Sequence, residues 1–162
     1  MRASWPEPVE RVAAFLRDAG AEARLEQLRE GAPTARTAAD EIGCALEEVV
    51  KSLVLMCDDV AVLALVPGDR RVDPQKVARV VGAQGARIAL AEEVIAATGF
   101  TPGAVAPFPL PAAPRIVLER TLLTCSVVWV GAGSDRHMVA LSPLELVRLT
   151  RASVEDVVQE SA

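Results

Sequence analysis

Lys51 is the side chain with the clearest chemical potential in this sequence. The chain carries two lysines against fifteen arginines, and Lys51 stands between Val49-Val50 and Ser52-Leu53-Val54, at the mouth of an apolar run. An ammonium removed from water there is costly unless it meets an anion or oxygens. Lysine is a compact point charge with rotatable donors, suited to a phosphate or a polarised carbonyl. The alternative is a strand-end lysine whose charge reaches back to water. Gly103-Ala104-Val105-Ala106-Pro107 is the second candidate. Glycine permits positive φ and close approach of a ligand to backbone N–H groups, while proline stiffens the exit. Such a loop can aim donors at a carbonyl or a developing oxyanion, although Gly/Pro loops are also ordinary turns. His137, the one histidine, follows the turn Gly131-Ala132-Gly133-Ser134. It is either a surface residue or a polar pocket wall that donates to an ester or hydroxyl. Arg70-Arg71 reads as a solvated turn, with contact to RNA phosphate as the functional alternative.

Other signatures are missing. The sequence holds no G-x-S-x-G, P-loop, H-E-x-x-H or G-x-G-x-x-G pattern, so no cofactor is expected. One histidine excludes a histidine-rich metal site, and a Ser-His-Asp triad would have to use His137. Cys44, Cys57 and Cys125 are spaced 13 and 68 apart, neither a disulfide framework nor a zinc pattern. Among apolar neighbours they are expected to be core filler, and they fit a reducing cytoplasm. No apolar run approaches the roughly 18–20 residues of a membrane span. The opening MRASWPEPVE turns acidic where a signal peptide needs apolar residues.

The net charge of −5 argues against a general DNA or RNA binder. Its distribution softens that objection. Residues 1–60 carry 12 acids and 7 bases, residues 61–140 carry 6 and 8, and residues 141–162 carry 4 and 2. An acidic shell around a mildly basic middle can hold the end of a tRNA without wrapping much of it.

The elements that must position these residues follow from periodicity. Val9, Val12, Ala13 and Leu16 share one face of a first helix ending near Gly20, and Ala23 to Leu28 alternates as a strand. Thr37 is expected to cap a short helix that Gly43 stops, with another short helix over Leu46 to Val50. The runs Ser52–Cys57 and Val60–Val66 around Asp58-Asp59 predict a hairpin buried on both faces. Asp73-Pro74 starts a helix. Arg87–Leu90 reads as a strand and Glu92–Thr98 as a helix. Gly99 to Pro114 holds five prolines and two glycines, yet also Val105, Phe108 and Leu110, so an ordered loop packed on the domain is expected. Strands are expected at Ile116–Leu118, Ser126–Val130 and Met138–Leu141, then a helix starting at Ser142-Pro143-Leu144-Glu145 and another at Ser153-Val154-Glu155-Asp156. The 162 residues suit one domain of α/β or α+β class, a mixed β-sheet surrounded by helices.

Five blocks of the chain resemble the YbaK/prolyl-tRNA-synthetase-associated family, over roughly residues 34 to 158. They are Thr37-Ala38-Ala39-Asp40-Glu41-Ile42-Gly43, Val50-Lys51-Ser52-Leu53-Val54, Leu65 through Asp73, Thr98 through Phe108, and Leu144 through Thr150. The resemblance implies a mixed-sheet domain with a small pocket for the aminoacyl end of tRNA. It implies deacylation of mischarged tRNA, typically tRNA(Pro) carrying cysteine, alanine or another small residue. By position, Lys51 matches the family's essential lysine and Gly103 through Pro107 its G-x-x-x-P loop. Lys51 and Gly103 are thus the expected catalytic positions. Thr37, Ser52, Ala104, Val105, Pro107, Gly131, Gly133, Ser134 and His137 are the expected substrate-binding ones. The chain departs from the family at Ala104, where Gly is common, at Pro109, where Gly is common, and at Glu119, where Asp is usual. The loop changes bear on which amino acid is removed more than on the reaction.

An aminoacyl ester is already activated, so a positioned water and a polarised carbonyl suffice without a strong nucleophile. Exclusion of larger side chains supplies discrimination. Prolyl-tRNA synthetase or an elongation factor is the expected partner in reading tRNA identity. The competing reading is a module that binds tRNA or a synthetase without hydrolysis.

Overall fold

The computed structural model describes residues 5–160; Met1 to Ser4, the start of the N-terminal segment considered above, lie outside the described residues. The two apolar runs form the predicted hairpin. Strand β2 (Val50–Cys57) pairs antiparallel with β3 (Val60–Pro67) along their whole length, Lys51 opposite Val66 and Ser52 opposite Leu65. Asp58 makes the turn at φ 53°, and its carboxylate accepts from the Gln84 and Gly85 amides at 3.2 and 3.1 Å. Strand β4 (Ala86–Ile88) joins the free side of β2, β5 (Arg115–Glu119) runs parallel to β3, and β8 (Ser153–Glu155) runs parallel to β5. The order is β4-β2-β3-β5-β8.

The uninterrupted apolar character of β3 has a direct cause. Leu63 and Leu65 point into one core with Val54, Phe100, Phe108, Leu118, Val130 and Leu141, while Val62, Ala64 and Val66 point into another with Leu55, Val77, Val117 and Val157. Burying a leucine fully contributes about 1.5–3 kcal/mol, so both faces of this strand stabilise the fold.

A second sheet stands beside the first. Strands β6 (Val128–Gly131) and β7 (His137–Leu141) form a hairpin, and β1 (Ala23–Gln27) pairs with β7, giving the order β1-β7-β6, all antiparallel. The mixed sheet expected from sequence is the five-stranded one, and the three-stranded antiparallel sheet stands in addition to it. Val130, Val139 and Leu141 of the small sheet share one core with Leu63, Leu65 and Leu118 of the large one. A bridge between Val49 and Trp129 joins their margins.

Helices α1 (Glu7–Asp18), α2 (Ala35–Ile42), α3 (Pro74–Val81), α4 (Ala91–Thr98) and α5 (Pro143–Thr150) surround the sheets. Asp73 and Ser142 cap α3 and α5 as expected. The cap of α2 is Thr34, however, and not Thr37. Thr34 is extended and accepts the Thr37 amide, while the Thr37 hydroxyl accepts from the Thr34 amide, so Thr37 is the third residue of a reciprocal box. The helix expected over Leu46–Val50 shrinks to one 3-10 turn, Leu46–Glu48, because Val50 already belongs to β2. Ser153–Asp156 does not start a helix. Ser153–Glu155 forms β8 instead, because β5 offers an open edge and a cap without a following amphipathic run cannot nucleate a helix. Cys57 is core filler, whereas Cys44 and Cys125 are only half-buried.

The Gly99–Pro114 loop is ordered. Phe100, Val105, Ala106 and Phe108 are buried, and α1 pins the segment. The Arg11 guanidinium donates to the Gly99 carbonyl at 2.9 Å and lies over the Phe100 ring, and Phe15 stacks on Phe108 at 5.1 Å. Among the described residues, no helix is long and apolar enough to cross a membrane.

Candidate functional site

A cavity of about 370 Å³ opens where the N-terminal end of β2, the start of α2, the Gly/Pro loop and the β6–β7 hairpin meet. Seven of the residues singled out from sequence line it: Lys51, Ser52, Gly103, Val105, Gly131, Ser134 and His137. Its size falls in the range of small-ligand pockets, and much of the remaining wall is small and apolar, Ala32, Ala35, Ala38 and Val50 among them.

Strand periodicity presents two different polar groups to this space. Ser52 shares the parity of Val50 and Val54, and Lys51 that of Leu53 and Leu55, so the two reach the cavity from opposite faces of β2. Lys51 is half-buried, and its Nζ donates to the Arg70 carbonyl. Burial pushes its pKa below the ordinary lysine value, Arg71 adds to that, and Asp69 opposes it.

The hairpin brings the third group. His137 begins β7 and is buried, so the surface alternative does not hold. Its Nδ1 is 2.7 Å from the Ser134 hydroxyl, which also accepts the Arg136 amide at 3.0 Å. Trp5 meets the imidazole edge-on at 6.5 Å. Burial, with help from Arg136 and against Asp135, lowers the pKa of His137 below the ordinary histidine value. Hydrogen bonds donated by the Leu28 amide to the Arg136 carbonyl and by the Ala32 amide to the Asp135 carbonyl tie the chain after β1 to this turn. They carry Ala32 to Ala35 to the cavity.

Among the described residues, three buried side-chain polar atoms lack a hydrogen-bond partner: Arg11 Nε, Ser52 Oγ and His137 Nε2. The first has the Glu7 carboxylate at 3.0 Å. The other two belong to residues lining this one cavity. An unmet buried polar group costs about 1–3 kcal/mol, and such exceptions concentrate where ligands bind.

The loop's contribution is set by a turn. Thr101-Pro102-Gly103-Ala104 has proline second, Gly103 third at φ +84°, and the Ala104 amide donating to the Thr101 carbonyl at 3.0 Å, the pattern of a type II turn. The Ala104 amide is thereby used, while the amides of Gly103 and Val105 have no partner among the described residues. Gly131 lets the loop close on the hairpin, since a Cβ there would stand 2.5 Å from the Val105 carbonyl oxygen.

Four expected substrate positions lie outside the cavity wall. Thr37 serves the α2 cap, and Ala104 closes the turn. Pro107 faces a different cavity, of about 550 Å³, beyond the loop. Gly133, at φ +99°, packs on Pro8, whose carbonyl would be 2.9 Å from an added Cβ. Conversely, Thr34, Ala38, Asp135 and Met138 line the site unforeseen. Reading the Thr34–Thr37 pair as a capping box would have found the first two; nothing local marks the others. Among the described residues, no group of three His, Cys, Asp or Glu side chains could hold a metal ion.

The chain is similar to several known proteins. The chain is 36% identical over 114 residues to a proline–tRNA ligase of Xanthomonas oryzae pv. oryzae (strain MAFF 311018), covering 68% of this chain and 20% of that one. It thus spans about a fifth of the length of the synthetases it matches. The uncharacterized protein YwhH of Bacillus subtilis (strain 168) is 31% identical over 122 residues, covering 75% of this chain and 77% of YwhH. A solved structure described as a candidate trans-editing enzyme for prolyl tRNA synthetase superposes with a TM-score of 0.90 at 34% identity, over 97% of this chain and all of that one. Residues 29–149 match the aminoacyl-tRNA editing domain, a stretch that ends before β8 and the segment after it. The chain belongs to the aminoacyl-tRNA editing domain family.

Proposed function

We propose that this domain hydrolyses the ester that joins a wrong amino acid to tRNA, with tRNA(Pro) carrying cysteine, alanine or another small residue as the substrate. The observation that carries this reading is the meeting of Lys51, Ser52, Gly103, Val105 and His137 around one small cavity. In this mechanism, Lys51 orients the terminal adenosine phosphate or the sugar. The amides of Gly103 and Val105 polarise the ester carbonyl, as oxyanion donors do. A water oxygen attacks the carbonyl carbon, the carbon–oxygen bond to the ribose breaks, and the ribose oxygen takes up a proton. Ser52 Oγ and His137 Nε2 bind polar groups of the aminoacyl end, and the alanine-rich wall excludes bulk. Ser134 holds the imidazole through Nδ1 and so leaves Nε2 for substrate. No cofactor is required.

Similarity to segments of proline–tRNA ligases supports tRNA(Pro) as the carrier. The acidic net charge supports a division of labour in which prolyl-tRNA synthetase or an elongation factor contributes to tRNA selection. The same charge favours the second reading, a module that binds without hydrolysis. Incubation with alanyl-, cysteinyl- and seryl-tRNA(Pro), followed by measurement of free amino acid, separates the two. Release of at least one amino acid supports deacylation; binding of all three without release supports the module.

A further inference from the structure

Lys51 does not reach its carbonyl partner through β2 alone. The acceptor, Arg70, lies on the connection between β3 and α3, and that connection is built from long-range contacts with the end of the chain. The Gln159 amide donates to the Arg71 carbonyl at 2.8 Å, and the Asp73 amide donates to the Val157 carbonyl at 2.8 Å. Val72 bridges Val158 in antiparallel fashion. Arg70 Nη2 donates to the Gln159 carbonyl at 2.6 Å. The segment Arg71–Asp73 is thus paired to Val157–Gln159 through one antiparallel bridge and its two flanking hydrogen bonds, and Arg70 joins it through its side chain.

That segment is in turn anchored by two charged side chains. Lys76, in the first turn of α3, donates to Asp156 Oδ1 and Oδ2 at 3.0 and 3.1 Å, to the Val158 carbonyl at 2.8 Å and to Glu160 at 3.3 Å. Glu119, buried at the end of β5, accepts the Val157 amide at 3.0 Å and the Thr121 amide at 3.0 Å. Val157 and Val158 are buried beneath these contacts.

We propose that Asp156–Glu160 is a strap that positions Lys51, acting through the Arg70 carbonyl, with Lys76 and Glu119 as its anchors. Lys76 and Glu119 are positioning residues, not catalytic ones. The arrangement deepens the deacylase reading and rests on it for its link to activity. The link from the strap to Lys51 itself does not depend on that reading. With the strap in place, the Arg70–Asp73 connection shields the Lys51 ammonium and fixes its direction; the charged groups facing it are Arg71 and Asp69 of this same connection. With the strap loosened, water reaches the ammonium and it leaves the Arg70 carbonyl.

The chain's two lysines make the test direct. With ¹³Cε-labelled lysine, Lys76→Met leaves one lysine signal, that of Lys51, which can be titrated and compared with wild type. The expected result is an upward shift of the Lys51 midpoint in Lys76→Met, because burial is the first cause of its depression. Asp156→Asn, which keeps the shape and removes the charge, should shift it the same way by less, and Lys76→Arg should restore the rate lost in Lys76→Met. Arg87→Met, which removes the distant Arg87–Glu93 ion pair, should leave the Lys51 signal unmoved. Deacylation by Lys76→Met should fall about tenfold, in kcat more than KM, since misplacement of about an ångström costs up to a hundredfold. An unchanged Lys51 midpoint in both Lys76→Met and Asp156→Asn would overturn the proposal. Absence of deacylation by wild type would overturn the deacylase reading while leaving the titration to judge the strap.

Discussion

The two lysines of this chain occupy opposite circumstances. Lys76 is saturated: two carboxylates and a carbonyl surround its ammonium, and its pKa is raised, first by the Asp156 hydrogen bond. Lys51 has one backbone carbonyl, sits beside Arg71, and its pKa is lowered by burial. The same contrast separates the regions around them. Near Lys76 every polar group named above finds a partner, whereas Ser52 and His137, which line the cavity with Lys51, each bury a polar atom, Oγ and Nε2, that has none among the described residues. Partners that complete a polar group assign it to architecture. Groups left incomplete in a buried wall are the ones with binding capacity to offer a substrate.

The largest effect is expected at Lys51. Lys51→Ala should lower the deacylation rate by about 10²–10³, the scale of losing one placed donor, while circular dichroism and the melting profile show a folded protein. Lys51→Arg should fail as well, because a planar fork does not replace a compact ammonium in a small pocket. A Lys51→Arg variant of nearly full rate would mean that charge alone matters and placement does not.

Two glycines sharpen the comparison by failing in different ways. At Gly131 an added Cβ meets backbone, 2.5 Å from the Val105 carbonyl oxygen, so Gly131→Ala must push the loop off the hairpin. It should cost about 1–3 kcal/mol of stability and also slow turnover. At Gly103 an added Cβ meets nothing within 4 Å, so only the φ of +84° opposes it. Gly103→Ala should therefore melt near wild type, within about 1–2 kcal/mol, yet deacylate at least tenfold more slowly if the amide geometry polarises the carbonyl. Wild-type rates in Gly103→Ala would remove the loop amides from the mechanism.

Much of this was legible along the chain. Asp73-Pro74 and Ser142-Pro143 announced their helices, and the double-sided burial of β3 followed from its unbroken apolar run. The aromatic and aliphatic residues within Gly99–Pro114 foretold a packed loop. What escaped is whatever depends on partners distant in sequence. Ser153–Asp156 carries a helix-start pattern but pairs with β5, more than thirty residues away. The third strand of the small sheet depends on β1 meeting β7, more than a hundred residues away. Ala32 and Ala35 reach the cavity through a segment that the Ala32 amide ties to the Asp135 carbonyl, and no spacing in the sequence records that. Thr34 is legible as a cap through its pairing with Thr37, although Thr37 lies nearer the apolar positions.

The smallest effect is expected at His137. Its folded pKa lies below the unfolded value of about 6.5, so the unfolded chain binds the proton first. Stability present above pH 6.5 is therefore lost as pH falls through the folded value. Melting temperature should decline below about pH 6.5, and His137→Asn should flatten that decline. The carboxyls of Glu93 and Glu145, held down to about 2 by Arg87 and Arg148, act in a more acidic window and do not overlap it. An equal decline in His137→Asn would show that other groups cause it. A rate that titrates with a histidine-like midpoint in wild type and not in His137→Asn would make His137 a base instead of a pocket wall.

The most direct measurement is single-turnover release of amino acid from alanyl- and cysteinyl-tRNA(Pro) with the protein in excess, run beside the spontaneous reaction and beside Lys51→Ala. Release by wild type well above the spontaneous rate for at least one of the two, falling by about 10²–10³ in Lys51→Ala, is the predicted result. Release that never exceeds the spontaneous rate, or that is unchanged in Lys51→Ala, would contradict a deacylase centred on this cavity.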